Sequence, residues 1–433
     1  MRYRIEKDLL GQRQVPAEAY YGIETLRGKE NFEITKRGIC RQMIKALAIV
    51  KKAAAKANVD ALNIDEKVGK AIMLACDEIL NGRLHGQFVT DLIQGGAGTS
   101  MNMNANEVIA NRANELLGGK KGVYDFVHPN DHVNFGQSTN DVIQTAGKIA
   151  IVKQLKKLQV ELKKLYNAYL NKATEFKDVI KMGRTHLQEA LPLRLGQEFS
   201  AYASALNRDM KRIDVAIEAL LEVNMGATAI GTSLNANEKY RKKVIYYLNK
   251  FSGEQIKPAK DLIDATRNFD TFGQASSTLK LLALNLSKTA SDLRLMASSG
   301  SNGFSEITLP HVQPGSSIMP GKYNPVVPEM VNQVCFYVIG LDVTITKAIE
   351  AGQLELNVFG PIILMSLFEQ ITTLRRATRT FHNLAISGLI ANTTKYKTDN
   401  SIYLITALSP HLGHEEACNV VLSLIHISEP TRH

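Results

Sequence analysis

The sequence predicts an all-α protein organised around a bundle of long helices. Two apolar stripes carry that prediction. Leu155, Leu158, Leu162, Leu165 and Tyr169 alternate spacings of three and four residues, which lines one face of a helix. Phe272, Leu279, Leu286 and Leu293 repeat every seven residues, with Ala275, Leu282 and Met296 on the adjoining seam. That is an a/d pattern sustained over several heptads. The third observation is that the alternation of a half-buried strand is scarce. One short neighbour does not bury stripes of this length, so long partner helices are expected.

A chain of 433 residues that is 45% hydrophobic is too long for one compact core. Clusters of Gly, Pro and Asn punctuate it. They are Gln94-Gly95-Gly96-Ala97-Gly98-Thr99, His128-Pro129-Asn130-Asp131, Gly183-Arg184-Thr185-His186 and a long stretch from Gly300 to Pro328. Each precedes a segment of helical character. The breaks divide the chain into an N-terminal helical domain (1–138), a central helix-bundle domain (139–392) and a short C-terminal domain (393–421). Residues 422–433 read differently. Leu422-Ser423-Leu424-Ile425-His426-Ile427-Ser428-Glu429-Pro430-Thr431-Arg432 resembles translated sequencing-adapter sequence. It departs from the helical pattern of Glu415 to Val421, so it is set aside as a non-native tail on a truncated chain.

The formal net charge is +10, but Lys and Arg are spread along amphipathic stretches such as Leu155-Lys156-Lys157-Leu158. That fits a solvated surface and the attraction of a small anion. No zinc-finger spacing, RRM signature or basic stripe with interleaved aromatics points to nucleic acid. Cys40, Cys76, Cys335 and Cys418 form no CxxC, and no secretory leader precedes the polar start. A reduced, cytoplasmic protein is expected. No apolar run reaches the roughly 18 residues of a membrane span, and the best candidate, Pro361-Ile362-Ile363-Leu364-Met365, is a short core segment.

The loop-to-helix junctions are where chemistry fits. A helix N-terminus offers unpaired N–H groups and partial positive charge, hence an anion site. Thr99-Ser100, Ser138-Thr139-Asn140-Asp141 and Thr185-His186 stand at such junctions, although Ser, Thr and Asn there also serve as plain N-caps. Gly315-Ser316-Ser317-Ile318-Met319-Pro320-Gly321-Lys322-Tyr323-Asn324-Pro325 is a shaped loop with hydroxyls, an ammonium and an amide close together. His128 and His132 are separated by Pro129 and make a poor metal pair. Gln94 to Gly98 lacks the Gly-Lys-Ser/Thr of a P-loop.

At these residues the chain resembles the aspartase/fumarase superfamily. Residues Gly315 to Pro325 are similar to its signature GSSxMPxKxNP, with Tyr323 where Val is usual. The likeness runs from about Arg4 to Val421. Asp8-Leu9-Leu10-Gly11, Ala19-Tyr20-Tyr21-Gly22, Gly96-Ala97-Gly98-Thr99-Ser100, Gln137-Ser138-Thr139-Asn140-Asp141 and Glu350-Ala351-Gly352-Gln353-Leu354 resemble its aspartase branch. Gly183 to Gln188 is shared with the fumarases.

The resemblance implies a three-domain fold with a central long-helix bundle, a homotetramer, and active sites each built from three subunits. It implies a lyase with no cofactor that deaminates L-aspartate reversibly to fumarate and ammonia; the residues themselves offer no convincing metal-ligand set, so no metal is expected. The route is anti-elimination through an enediolate, whose stabilisation is the largest demand on the site. By the same resemblance Ser316 is the general base. Lys322 and Asn324 hold the α-carboxylate, with Thr185 near it. Thr99, Ser138, Thr139 and Ser317 hold the β-carboxylate. Asn140 and His186 contact the amino group. A class II fumarate hydratase and a non-catalytic member of the superfamily are the alternatives.

Overall fold

The computed structural model describes residues 2–299, 303–315, 318–319, 321–393, 405–406 and 409–428, with side chains to 423. The base catalyst expected at Ser316, and its neighbour Ser317, lie outside the described residues. The chain opens on an antiparallel hairpin, β1 (Tyr3–Asp8) and β2 (Gly11–Pro16), with Tyr3 opposite Pro16. Helices α1 (Ile23–Asn31), α2 (Arg41–Asp60), α3 (Glu66–Leu80), α4 (Thr99–Leu116) and α5 (Thr139–Glu175) follow. A second hairpin, β3 (Ile180–Thr185) and β4 (Gln188–Arg194), precedes α6 (Leu195–Leu220). Two-residue strands β5 (Glu222–Val223) and β6 (Lys257–Pro258) flank α7 (Glu238–Ser252). Beyond them come α8 (Leu262–Arg267), α9 (Asp270–Met296), β7 (Ile307–Thr308), α10 (Val326–Glu350) and α11 (Gly360–Phe381). The chain closes with β8 (Ile390–Ala391), α12 (Ser409–Leu412) and α13 (His414–Ser428). Every sheet among the described residues has two strands, and the helical class expected from the stripes holds.

The residues form two compact units. The first comprises Met1–Gln159, Lys211–Leu281 and Phe336–Leu374; the second comprises Val160–Met210, Leu282–Cys335 and Arg375–His433. The boundary between them falls inside α5, α6, α9, α10 and α11.

The stripes read from sequence are core. Leu155, Leu158, Leu162, Leu165 and Tyr169 are all buried along α5, as are Phe272, Leu279, Leu286 and Leu293 along α9. Each such side chain contributes about 1.5–3 kcal/mol of burial free energy. In the first unit α2 is alanine-rich, and Ala46, Ala48, Ala53, Ala54, Ala55 and Ala57 are buried. Small side chains let α3 and α7 approach it closely. Local signals set the helix ends. Asp65 accepts from the N–H groups of Lys67 (2.7 Å) and Val68 (3.4 Å) to start α3. Asn237 accepts from the Tyr240 N–H (2.8 Å) to start α7, and Gly253 ends it at φ +72°, the left-handed closure that glycine permits.

Two expectations need correction. Thr185-His186 does not open a helix. Thr185 ends β3, and His186 and Leu187 form a two-residue turn back into β4. The helical pattern also does not stop at Val421, because α13 continues to Ser428. Among the described residues one helix, α10, is long and apolar enough to cross a membrane by length and composition, with 39% of its apolar window buried. No uninterrupted run reveals it, because polar residues interrupt it. Among them Asp342 is buried and accepts from Ser276 Oγ (2.7 Å) and Lys280 Nζ (2.6 Å), the pairing expected of a packed core helix.

Candidate active site

Four of the sequence-predicted residues lie in the first unit, at the N-termini of α4 and α5. The turn into α4 runs through Ala97 (φ +57°) and Gly98 (φ +95°). A Cβ at Gly98 would sit 3.1 Å from Ile143 of α5, so the glycine serves both the left-handed backbone and close approach. Thr99 is exposed, and its hydroxyl donates to the Gly96 carbonyl (2.6 Å). Gln94 caps the same end, its Oε1 accepting from the Met101 N–H (3.0 Å).

The α5 end is a reciprocal cap. Ser138 Oγ accepts from the Asn140 N–H (3.2 Å), while Asp141 Oδ1 accepts from the Ser138 N–H (2.9 Å), the capping-box arrangement with Asp in place of Glu. Asn102, buried on α4, donates through Nδ2 to Thr139 Oγ1 (3.2 Å) and to Asn134 Oδ1 (3.2 Å). The two helix ends are thereby tied together. Behind them Lys51 is fully buried and donates to Asn134 Oδ1 (2.7 Å) and Gln137 Oε1 (3.0 Å). Burial pulls its ammonium down to about 7, against the pull of Asp141. Burial pushes the Asp141 carboxyl up to about 6, against its backbone donors and Lys51. Asn140 Nδ2 donates to the Ala229 carbonyl (2.7 Å), which leaves its side-chain oxygen as an acceptor.

The other described candidates lie in the second unit. Thr185 and His186 are exposed at the tip of the β3–β4 hairpin. His186 (φ +55°) and Leu187 (φ +62°) are consecutive non-glycine residues in the left-handed region. This is the turn geometry usually met by Asn-Gly, and it costs of order 1 kcal/mol per residue. Lys322 and Asn324 are on the loop before α10. Asn324 Nδ2 donates to the Gly315 carbonyl (2.9 Å), and the Gly315 N–H donates to the Lys322 carbonyl (2.9 Å), closing the neck of that loop. A Cβ at Gly315 would fall 2.4 Å from the Lys322 oxygen, so no other residue fits there. The Tyr323 ring stacks on His311 with centroids 3.7 Å apart and planes 5° apart. Lys322, Tyr323 and Asn324 line an open cavity of about 440 Å³ together with Ser305, Thr308 and Asn392.

The fold and this inventory of groups match known proteins. A sequence profile of the family described as lyase matches residues 11–340. The aspartate ammonia-lyase of Bacillus subtilis (strain 168) is 52% identical over 99% of this chain and 91% of its own length. The chain belongs to the lyase family that includes the aspartate ammonia-lyases. Within that family the aspartate ammonia-lyase of Helicobacter pylori (strain ATCC 700392 / 26695) is 49% identical, over 96% of this chain and 90% of that protein. Among solved structures, a fumarate lyase:delta crystallin from Brucella melitensis bound to cobalt superposes with a TM-score of 0.96 at 45% identity. It covers 99% of this chain and 94% of that one. A class II fumarase from Schistosoma mansoni reaches the same TM-score at 35% identity, with the same coverage.

Several residues of this lyase that support the candidate groups were not singled out from sequence. The sequence marks Asp141 only as part of a cap, and its Oδ2 also accepts from the N–H groups of Gly226 and Thr228 (3.1 Å each). It thus pins the segment carrying Ala229 to the start of α5. The signal was the small-residue run Gly226-Ala227-Thr228-Ala229-Ile230-Gly231-Thr232-Ser233, too long and polar for a simple turn.

Proposed function

We propose that the chain catalyses the reversible deamination of L-aspartate to fumarate and ammonia. The observation that carries this reading is the 52% identity to an aspartate ammonia-lyase across 99% of the chain. Identity to the class II fumarase is 35%.

In this reading Ser316, as alkoxide, removes a proton from Cβ of aspartate. The electron pair moves onto the β-carboxylate and makes an enediolate with a second negative charge. Thr99, Ser138, Thr139 and Ser317 receive that charge, helped by the N-terminal ends of α4 and α5. The pair then returns to form the Cα–Cβ double bond as the C–N bond breaks and ammonia leaves. Lys322 and Asn324 hold the α-carboxylate, with Thr185 beside it. His186 and Asn140 face the amino group. The Asn140 amide suits that task because one of its N–H groups is donated to the Ala229 carbonyl, which orients its oxygen to accept from an ammonium.

The active form is a homotetramer whose sites draw on several subunits. Phe336 (62% exposed), Tyr337 and Val343 on α10 and Leu281 and Leu284 on α9 support it, because large apolar side chains on bundle helices call for a partner surface. A cytoplasmic location fits four unpaired cysteines. The test is an ultraviolet assay for fumarate with aspartate and malate side by side, run also on Ser316→Ala. Aspartate alone is expected to be converted. The variant should stay folded and lose about 10²–10⁴-fold in turnover. Conversion of malate alone would make the protein a hydratase, and a fully active Ser316→Ala would remove the serine from its role.

A further inference from the structure

We propose that Glu306 is a positioning residue for the reaction, whose carboxylate clamps the hairpin turn that presents Thr185 and His186. The inference rests on the reading of those two residues as substrate-binding groups.

The ladder pairs Arg184–Glu189 and Thr185–Gln188 close the turn, but among the described residues no packing holds its tip. All residues from Thr185 to Glu189 are exposed, so packing does not fix the tip, yet His186 and Leu187 both keep positive φ. Such a conformation persists only where the surroundings over-determine it. Two cations of β3 supply the restraint. Arg184, one residue before Thr185, pairs through its guanidinium with Glu306 Oε1. Lys181 Nζ lies 2.6 Å from Glu306 Oε2, an ion pair by distance, and 3.1 Å from Glu198 Oε1.

In a flat strand residues three apart point to opposite faces. Here Met182 pairs with Pro192 and Arg184 with Glu189, so three steps of β4 span two of β3. An irregularity of this kind bends and twists a hairpin, and both side chains reach one carboxylate. The Arg184 guanidinium also sits 4.3 Å over the Phe304 ring.

The carboxylate is itself anchored. Glu306 is buried, its N–H donates to the Met296 carbonyl (2.9 Å) and its carbonyl accepts from the Asn392 N–H (2.9 Å). The cluster is balanced, with Lys181 and Arg184 against Glu198 and Glu306. Buried ion pairs add little net stability but fix geometry when every member is paired. Holding two cations of one strand is therefore best explained by where the strand must end.

The experiment uses the whole enzyme. Glu306→Gln keeps the shape and removes the charge. Two readouts are taken: steady-state deamination of aspartate, and hydrogen–deuterium exchange of amides 184–189. The expected result is at least a tenfold loss of exchange protection confined to that hairpin, with kcat/KM lowered at least tenfold, mainly through KM. Where Glu306→Gln does not fold, Arg184→Met removes one arm of the clamp and is expected to give the same pattern, reduced in size. Unchanged hairpin exchange overturns the clamp whatever the substrate. Loss of protection across the whole second unit overturns it too, because Glu306 would then be only a stability residue. A loosened hairpin with unchanged kinetics overturns the role in the reaction. A loosened hairpin in an enzyme whose wild type does not deaminate aspartate supports the clamp and rejects the proposed substrate instead.

Discussion

Thr99 and Thr139 stand at helix ends whose backbone is fixed by buried side chains, whereas Thr185, His186 and Lys322 stand on exposed turns. In the first unit Asp141, Asn102 and Gln94 satisfy the N–H and hydroxyl groups around the helix starts, so the candidate groups share their supports with the core. In the second unit the supports are an ion-pair cluster and a hydrogen-bonded loop neck made in part by Asn324 itself, and the candidate side chains of Thr185, His186 and Lys322 are exposed. Stability and activity are therefore expected to be coupled in one group and separable in the other.

Three substitutions outside the serine base separate activity from stability in the two units. The largest kinetic effect is expected from Lys322→Met in the second unit. Loss of a charge-assisted bond to a carboxylate is worth about 1.5–3 kcal/mol, so KM for aspartate should rise by about 10- to 100-fold. The melting temperature should not change, since the side chain is exposed. A fall in melting temperature would show that the loop is structural after all.

Asp141→Asn in the first unit should lower both quantities. An amide cannot accept on both ends from Ser138, Gly226 and Thr228. Stability should drop by about 1–3 kcal/mol and kcat/KM by about tenfold, measured by denaturant unfolding and the fumarate assay. Normal kinetics with lost stability would uncouple the two.

Glu78→Gln should have the smallest effect, on stability alone. Glu78 joins α3 to α4 through a two-pronged bond to Arg112, with Nε–Oε2 at 2.8 Å and Nη2–Oε1 at 2.7 Å. That hydrogen-bonded guanidinium holds its carboxyl below the ordinary value of 4.5. Because the folded pKa is depressed, the contribution is present above about pH 4.5 and is lost as pH falls through the folded value. The variant should be less stable by about 1 kcal/mol at neutral pH, with the gap closing in acid and KM unchanged. A shift in KM would mean that the α3–α4 joint reaches the helix-end site.

The long helices were legible because a buried stripe repeats at helical spacing whatever surrounds it. Leu155 to Tyr169 and Phe272 to Leu293 are core for the same reason that they were periodic. Ser138 and Asp141 were legible as a cap because capping is local. The β3–β4 hairpin was not legible. Lys181-Met182-Gly183-Arg184-Thr185 lacks apolar alternation, and its turn uses His-Leu where Asn-Gly is the usual signal. Glu306 was hidden for a different reason. Its partner Arg184 is 122 positions away, and no local pattern marks a pairing of that range. The resemblance placed residues in roles, but it left unseen what holds those residues still.

The irregular register of the second hairpin depends on its chain length. Between Met182 and Arg184 the β4 strand carries a residue that the ladder does not need. A deletion between Glu189 and Pro192 would make the pairing more regular and would untwist the hairpin that brings Lys181 and Arg184 to one carboxylate. Surface hairpins usually absorb insertions and deletions near their tips. The proposed clamp makes the residue count of this one obligatory, so homologous chains that share its chemistry are expected to vary here in side chains and keep the number of residues.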